Sequence, residues 1–485
     1  MKQKYSCKTY SFAICMGIIA WFLGIFSSSA ADPDLWGYLA FGRLFWEQGF
    51  FPYQDVFSYT PTKAVWIYHE WLTGVIFFPV YQNFGAGGLQ ALKLVIGMST
   101  VGIAYAAAVQ RQAKPIFVFL SLILAGNVVR FGYSPVRAQI FTYFFFVLCL
   151  FILDYAKLRN NYKVLWWIVP IELLWCNLHG GFVAGVGIIG VYAVGEALAG
   201  RKFLPYAVAL VIASLITFFN PYGFDYWQYI FQALLMPRPE IAEWKNLFAA
   251  ILSGEYRGYA GLFIILFFVT ILLIFWQNKR DLTAVMILTL TAIMGFLHVR
   301  HMVFFALAAG VFLPVMLTQF WEFLGSNPEM IKRYSRFRMT GIAMLVLSLS
   351  SAAGASFYQF LSGEPFKLET SAANYPVGAI EVIQKNHLKG NILPRFEWGE
   401  YLLWTLYPDC RVGMDGRYET VYRDEVCREY FDFLFARNAW KDFLKKYPHD
   451  MVLVRSDSEI SGLLFHDSDW RLVYIGKDSA LFLRR

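Results

Sequence analysis

The chain has 485 residues, 58% hydrophobic and only 16% charged, with a net charge of +8. A soluble protein carries about a quarter charged residues, so a soluble enzyme is excluded. Nucleic acid is excluded as a partner too, because the basic residues form no single patch but sit in short clusters between apolar runs, where they set topology.

In chain order, the apolar segments fall at 11–29, 88–110, 115–131, 135–153, 164–178, 181–199, 203–219, 258–277, 282–297, 302–320 and 339–358. Most approach the roughly 17–25 residues a spanning helix needs, which predicts about eleven spans. The shorter apolar run from His69 to Phe84 reads as a re-entrant or interfacial helix. Lys2, Lys4 and Lys8, then Ser27 to Ala31, also fit a secretory signal, but the many later spans favour an uncleaved first span.

Basic residues alternate between the connections. Lys2, Lys4, Lys8, Arg111, Lys114, Lys157, Arg159, Lys163, Arg201, Lys202, Lys279, Arg280, Lys332, Arg333, Arg336 and Arg338 fall in one set of mostly short loops. The opposite loops hold half as many over far more chain. The positive-inside rule therefore predicts a multi-pass bacterial inner-membrane protein with a cytoplasmic N-terminus and everything after Tyr358 outside.

The outer connections hold the polar chemistry. The long first one, 30–87, contains Asp32, Asp34, Arg43, Asp55, His69 and Glu70 among tryptophans; later ones hold Arg137 and Gln139, His179, Glu243 and Trp244, and His298, Arg300 and His301. Asp32-Pro33-Asp34 reads as a helix start, with Asp32 as N-cap, Pro33 at the first position and a helix to about Gly49 placing Leu35, Leu39 and Trp46 near one face. That explains Asp32 but leaves Asp34, a carboxylate just beyond a span, available as a general base or a metal ligand. His69-Glu70 and His298–His301 lack a recognisable ligand spacing and suit interfacial anchors as well. Arg137 and Arg300 carry the fork suited to phosphate or pyrophosphate, or to lipid headgroups.

From about residue 360 charged residues become frequent. Strand-like runs at Asn391–Arg395, Arg411–Met414, Met451–Arg455 and Leu472–Leu483, the last with a turn at Gly476, alternate with helical stretches Val377–His387 and Arg423–Phe435. This predicts a small extracytoplasmic α/β domain, 360–485, after a membrane domain, 1–359. Asp415-Gly416-Arg417 reads as a turn, or as a contact to an acceptor or to the membrane domain. Cys410 and Cys427 could pair in an oxidising compartment or remain free thiols.

Several of these residues resemble a known group. An acidic residue opening an interfacial helix after the first span is similar to the GT-C superfamily of membrane glycosyltransferases. Asp34 to Gly49 resembles the first outer loop of oligosaccharyltransferases, and Trp71 to Arg111 that of protein mannosyltransferases and aminoarabinose transferases. Uncharacterised bacterial GT-C-like proteins share patterns at Asp32–Trp36, Asp55–Ser58, Trp66 with His69–Trp71, Arg137 with Gln139, Trp175–Gly180, Asn220–Gly223, Glu243-Trp244, Glu397–Tyr401 and Asp415–Arg417. The resemblance implies a polytopic α-helical GT-C architecture and inverting transfer of a sugar from a polyprenyl-phosphate donor to an envelope acceptor at the outer face. It implies Asp34, with Asp32, as catalytic residues. It places Arg137, Gln139, His69, Glu70, His179, Glu243, Arg300 and His301 around the substrates. No cofactor is fixed, although Mg or Mn at Asp34 would fit. The Trp-Trp-Asp signature of oligosaccharyltransferases is absent, and Asp-Pro-Asp replaces the Asp-Glu pair of protein mannosyltransferases, so donor and acceptor stay open. Two rivals remain, a lipid or polysaccharide transporter or flippase, expected to carry midplane charges and broken helices, and a non-catalytic envelope assembly protein.

Overall fold

The computed structural model describes residues 2–277, 279–326, 347–348, 350–371, 374–437 and 440–485. The basic loop 332–338 therefore lies outside the described residues and the predicted span 339–358 partly so; 350–362 forms α14. The chain divides into two compact units: one of 1–29, 90–223 and 235–367, the other of 30–89, 224–234 and 368–485.

The first unit is helical. It contains α1 (Lys2–Ile25), the latter part of α3 (Trp71–Gln110), α4 (Pro115–Tyr133), α5 (Gln139–Arg159), α6 (Ile168–Leu178), α7 (Val183–Leu198), α8 (Leu204–Ile216), α10 (Leu247–Leu252), α11 (Arg257–Trp276), α12 (Leu282–Leu297) and α13 (Met302–Ser326). Among the described residues six helical stretches are long and apolar enough to cross a membrane, and Ser11–Ile25, Leu204–Ile216 and Leu282–Leu297 are shorter apolar helices. The predicted span at 164–178 is a six-residue 3-10 turn, Tyr162–Trp167, followed by α6, because Pro170 can only enter an α-helix near its start. The expected interfacial helix and second span run together as α3. They are broken at Gly85, whose φ of 60° and ψ of −155° lie outside the helical region and suit only glycine.

Three of the basic loops converge at one end of this unit. Arg111 donates to Asp154 at 2.6 Å and to Asp281 at 3.0 Å. Lys157 meets Glu196 at 2.6 Å and Asp281 at 2.7 Å, and Arg201 lies 3.7 Å from Glu196. Asp154 and Glu196 sit in apolar helices and are buried, which is tolerable only because each meets a cation. Arg111 and Lys157 hold Asp281 down at about 2 against the upward push of burial.

The second unit joins residues 30–89 and 224–234 to the C-terminal residues. Its loop part carries α2 (Leu35–Gln48), which ends at Gly49 in the left-handed region; α9 (Phe224–Leu235) contributes one further helix. The remainder holds α15 (Val377–Lys385), α16 (Gly399–Leu406), α17 (Tyr418–Val421), α18 (Asp424–Leu434), α19 (Trp440–Lys446) and α20 (Glu459–Phe465) around a five-stranded sheet. The strands are β1 (Gly390–Pro394), β2 (Cys410–Val412), β3 (Met451–Val454), β4 (Trp470–Ile475) and β5 (Ala480–Arg484), in the order β2-β1-β3-β5-β4. All four β3 residues are buried, as a strand covered on both faces requires. β1 runs parallel to β2 and β3, while β4 and β5 form a hairpin closed by the Gly476 N–H on Ser479 O at 2.8 Å. The open edge at β2 is covered by the loop: Val412 N–H donates to Phe57 O at 2.9 Å and Tyr59 N–H to Val412 O at 3.2 Å. Cys410 and Cys427 are free thiols, which removes the disulfide alternative.

Candidate active site

In the second unit the chain enters α2 as expected: Asp32 Oδ1 accepts the Asp34 N–H at 3.0 Å, and Asp34, with φ of −69° and ψ of −21°, already has helical backbone. Leu35 and Leu39 are buried as expected, whereas Trp46 is exposed and donates to Val75 O at 3.0 Å.

The C-terminal residues grip the first turn of α2. Trp36 Nε1 donates to Tyr375 Oη at 3.2 Å and its ring lies 5.0 Å from Tyr401. Tyr375 in turn donates to Ala31 O at 3.1 Å. Gly37 N–H donates to Glu400 Oε2 at 3.0 Å, and the Arg43 guanidinium lies 4.5 Å over Trp404. Glu400 is buried, and burial pushes its carboxyl well above the usual range; Asp34, Asp415 and Glu70 push it further while Arg417 opposes them. Asp34 and Glu70 therefore share one electrostatic neighbourhood with Glu400. His69 lies 3.8 Å from Glu70, and its Nδ1 is 3.3 Å from Tyr229 Oη.

A second clamp stands beside this one. Arg417 donates to both Asp415 oxygens, at 2.9 and 2.6 Å, and to Asp55 Oδ1 at 2.6 Å. Its guanidinium lies 4.8 Å over Trp66. Asp415–Arg417 does form the expected turn, with the Arg417 N–H on Asp415 Oδ1 at 2.9 Å, but its side chains also bind the loop carrying Asp55.

In the first unit a different set converges. Arg137 Nη1 lies 3.3 Å from Glu243 Oε2, and Arg300 Nη1 lies 3.1 Å from Glu243 Oε1. Burial raises the Glu243 carboxyl, yet the two arginines overcome it and hold it at about 2. Trp244 is covered by Arg238 at 4.1 Å and Arg300 at 4.6 Å, with His298 and His301 at its edge, 5.1 and 5.8 Å away. The anion that these two arginines hold in the structure is the Glu243 carboxylate itself. Gln139 opens α5 two residues after Arg137, with its Oε1 buried and unpartnered. His179 stands elsewhere: its Nδ1 contacts Thr142 Oγ1 and the Gly181 N–H, both at 2.8 Å, and shapes the turn into α7.

Sequence reasoning missed Glu400 as a site residue, although it lies inside the Glu397–Tyr401 motif. It also missed Glu172, buried in α6 with both carboxylate oxygens unpartnered, and Lys93, buried in α3 and donating to Ser28 O at 2.8 Å and Ser134 O at 3.0 Å. Among the described residues no three His, Cys, Asp or Glu side chains are grouped as a metal-ligand set.

No family model and no curated protein matches the chain. Among solved structures it is similar to ArnT from Cupriavidus metallidurans, crystallised bound to undecaprenyl phosphate, with a TM-score of 0.54 and 14% identity over 97% of this chain and 96% of that one. The chain shares the fold of that protein. At 14% identity the likeness is one of architecture.

Proposed function

We propose that the protein is a membrane glycosyltransferase that moves a sugar from a polyprenyl-phosphate donor to an envelope acceptor at the outer face of the bacterial inner membrane. The observation that carries this reading is the fold shared, over nearly the whole length of both chains, with a protein crystallised on undecaprenyl phosphate. The chemistry of the two residue groups supports it. Asp34 removes the proton of an acceptor hydroxyl as that oxygen attacks the anomeric carbon. The bond from that carbon to the phosphate oxygen breaks, the configuration inverts, and the released phosphate takes up the negative charge. Arg137 and Arg300 are groups suited to stabilise such a charge, and Gln139, Glu243 and His301 belong to the same set of residues. An apolar groove of about 190 Å³, lined by Phe267, Ile274, Leu288, Ile293, Phe296 and Phe305, lies on the helices that lead into the loop bearing Arg300; an isoprenoid chain is the complementary occupant.

Asp34→Asn tests the assignment: the purified variant should bind donor lipid normally and transfer no sugar, and normal turnover would overturn it. A transporter is the second reading, favoured by the buried, unpartnered Glu172. It predicts that Glu172→Gln, rather than Asp34→Asn, abolishes function.

A further inference from the structure

The helix α9 (Phe224–Leu235) sorts its residues by chemistry around its axis. An α-helix turns about 100° per residue, so its side chains fall into three sectors. Tyr226, Tyr229 and Ile230 are buried against the protein. Asp225, Gln228 and Gln232 make a polar, exposed sector. Phe224, Phe231, Leu234 and Leu235 make the third, and they are 71, 59, 56 and 86% exposed. The buried and the exposed apolar sectors each take about 100° of arc, and the polar one separates them on one side only. The helix is also fixed in rotation. Tyr229 Oη lies 3.3 Å from His69 Nδ1 and the two rings are 5.3 Å apart, which keeps the apolar sector turned outwards.

A helix on a water-bathed surface carries polar residues everywhere outside its buried stripe. Four large apolar side chains on one exposed sector call instead for an apolar phase. The position of α9 in the chain identifies that phase. Residues 217–223 join it to α8, an apolar helix within the predicted span 203–219. Seven residues reach at most about 25 Å when fully extended, and these include a turn in which the Tyr222 N–H donates to Asn220 Oδ1 at 2.8 Å. So α9 begins close to the end of a membrane helix. Asp225 is its one charged residue, which leaves no basic face for anionic headgroups and makes the contact apolar. We propose that α9 lies in the plane of the membrane surface, with Phe224, Phe231, Leu234 and Leu235 seated on the acyl chains of phospholipids and Asp225, Gln228 and Gln232 facing water. The bilayer is then part of what holds Tyr229, and with it His69, in place, whatever reaction the protein catalyses.

The full-length protein in phosphatidylcholine nanodiscs tests this, with a fluorescent amino acid replacing Phe231, Leu235, Gln228 or Gln232 one at a time. Lipids brominated on their acyl chains should quench the probe at 231 and 235 at least about threefold more than at 228 and 232, and aqueous iodide should give the reverse order. The two apolar positions are independent readings, so a variant that fails to fold at one leaves the other. Equal quenching by iodide at all four positions would overturn the proposal, because the sector would be wet. Protection of 231 and 235 from both quenchers would overturn it as well, and would assign the sector to another protein surface, a second copy of this chain included.

Discussion

At the scale of single residues, the decisive placements are those that set ionisable groups against one another. Glu243 shows the rule in its plainest form. Its carboxyl is held at about 2 by Arg137 and Arg300 despite burial, against an ordinary value of 4.5. A carboxyl depressed in the folded state adds stability that is complete above the ordinary value and disappears as pH falls towards the folded one. The parent should therefore lose thermal stability between about pH 4.5 and 2 more steeply than Glu243→Gln, as differential scanning fluorimetry across that window would record. Arg417 makes a second case. It neutralises Asp55 and Asp415 while fully buried, so Arg417→Met strands two carboxylates and should cost about 3–5 kcal/mol, visible as a large drop in the denaturation midpoint. The sequence presented Asp415-Gly416-Arg417 as a turn, and it is one. The partner Asp55 lies 362 residues upstream, a distance that no local pattern encodes.

At the scale of elements, the predicted strands and the helices at Val377, Arg423 and the first outer loop match the structure within a few residues, because each carries its own periodicity and turn chemistry. α6 and α16 were harder to read. The former begins as a 3-10 turn, and the latter is an eight-residue helix whose burial is decided by α2 rather than by its own pattern. Gly85 is the clearest element-scale test. Any side chain there is strained by the backbone alone, since nothing lies within 4 Å of the added Cβ. Gly85→Ala should destabilise the protein by about 1–3 kcal/mol through conformation, without steric conflict, and a denaturation series comparing Ala with Asn would show it. Arg111 tests the opposite end of the helical unit. Arg111→Ala leaves Asp154 buried beside apolar helices and should reduce the yield of folded protein in the membrane, with Arg111→Lys recovering part of it.

At the scale of the molecule, residues 30–89 and the C-terminal residues form one compact unit, although more than 270 residues separate them in the chain. A topology consequence follows from the charge alternation. Single cysteines at residue 34 and at the C-terminus should both react with a membrane-impermeant maleimide added from outside, whereas a cysteine at position 159 should not. Cells lacking the protein should accumulate an unprocessed polyprenyl-linked sugar, which lipid mass spectrometry would identify.

Composition and apolar run length determined the membrane class, because a bilayer imposes those constraints locally on every segment. The order of short motifs sufficed for the GT-C resemblance. Only the tertiary structure decided which of those motifs meet. The Gly37 N–H of α2 is met by Glu400 of α16, the edge of β2 is covered by residues near Phe57, and Asp154 and Glu196 find their cations across helices. A buried hydrogen bond or ion pair is specified by where two backbones come together, and one sequence position carries no record of the other.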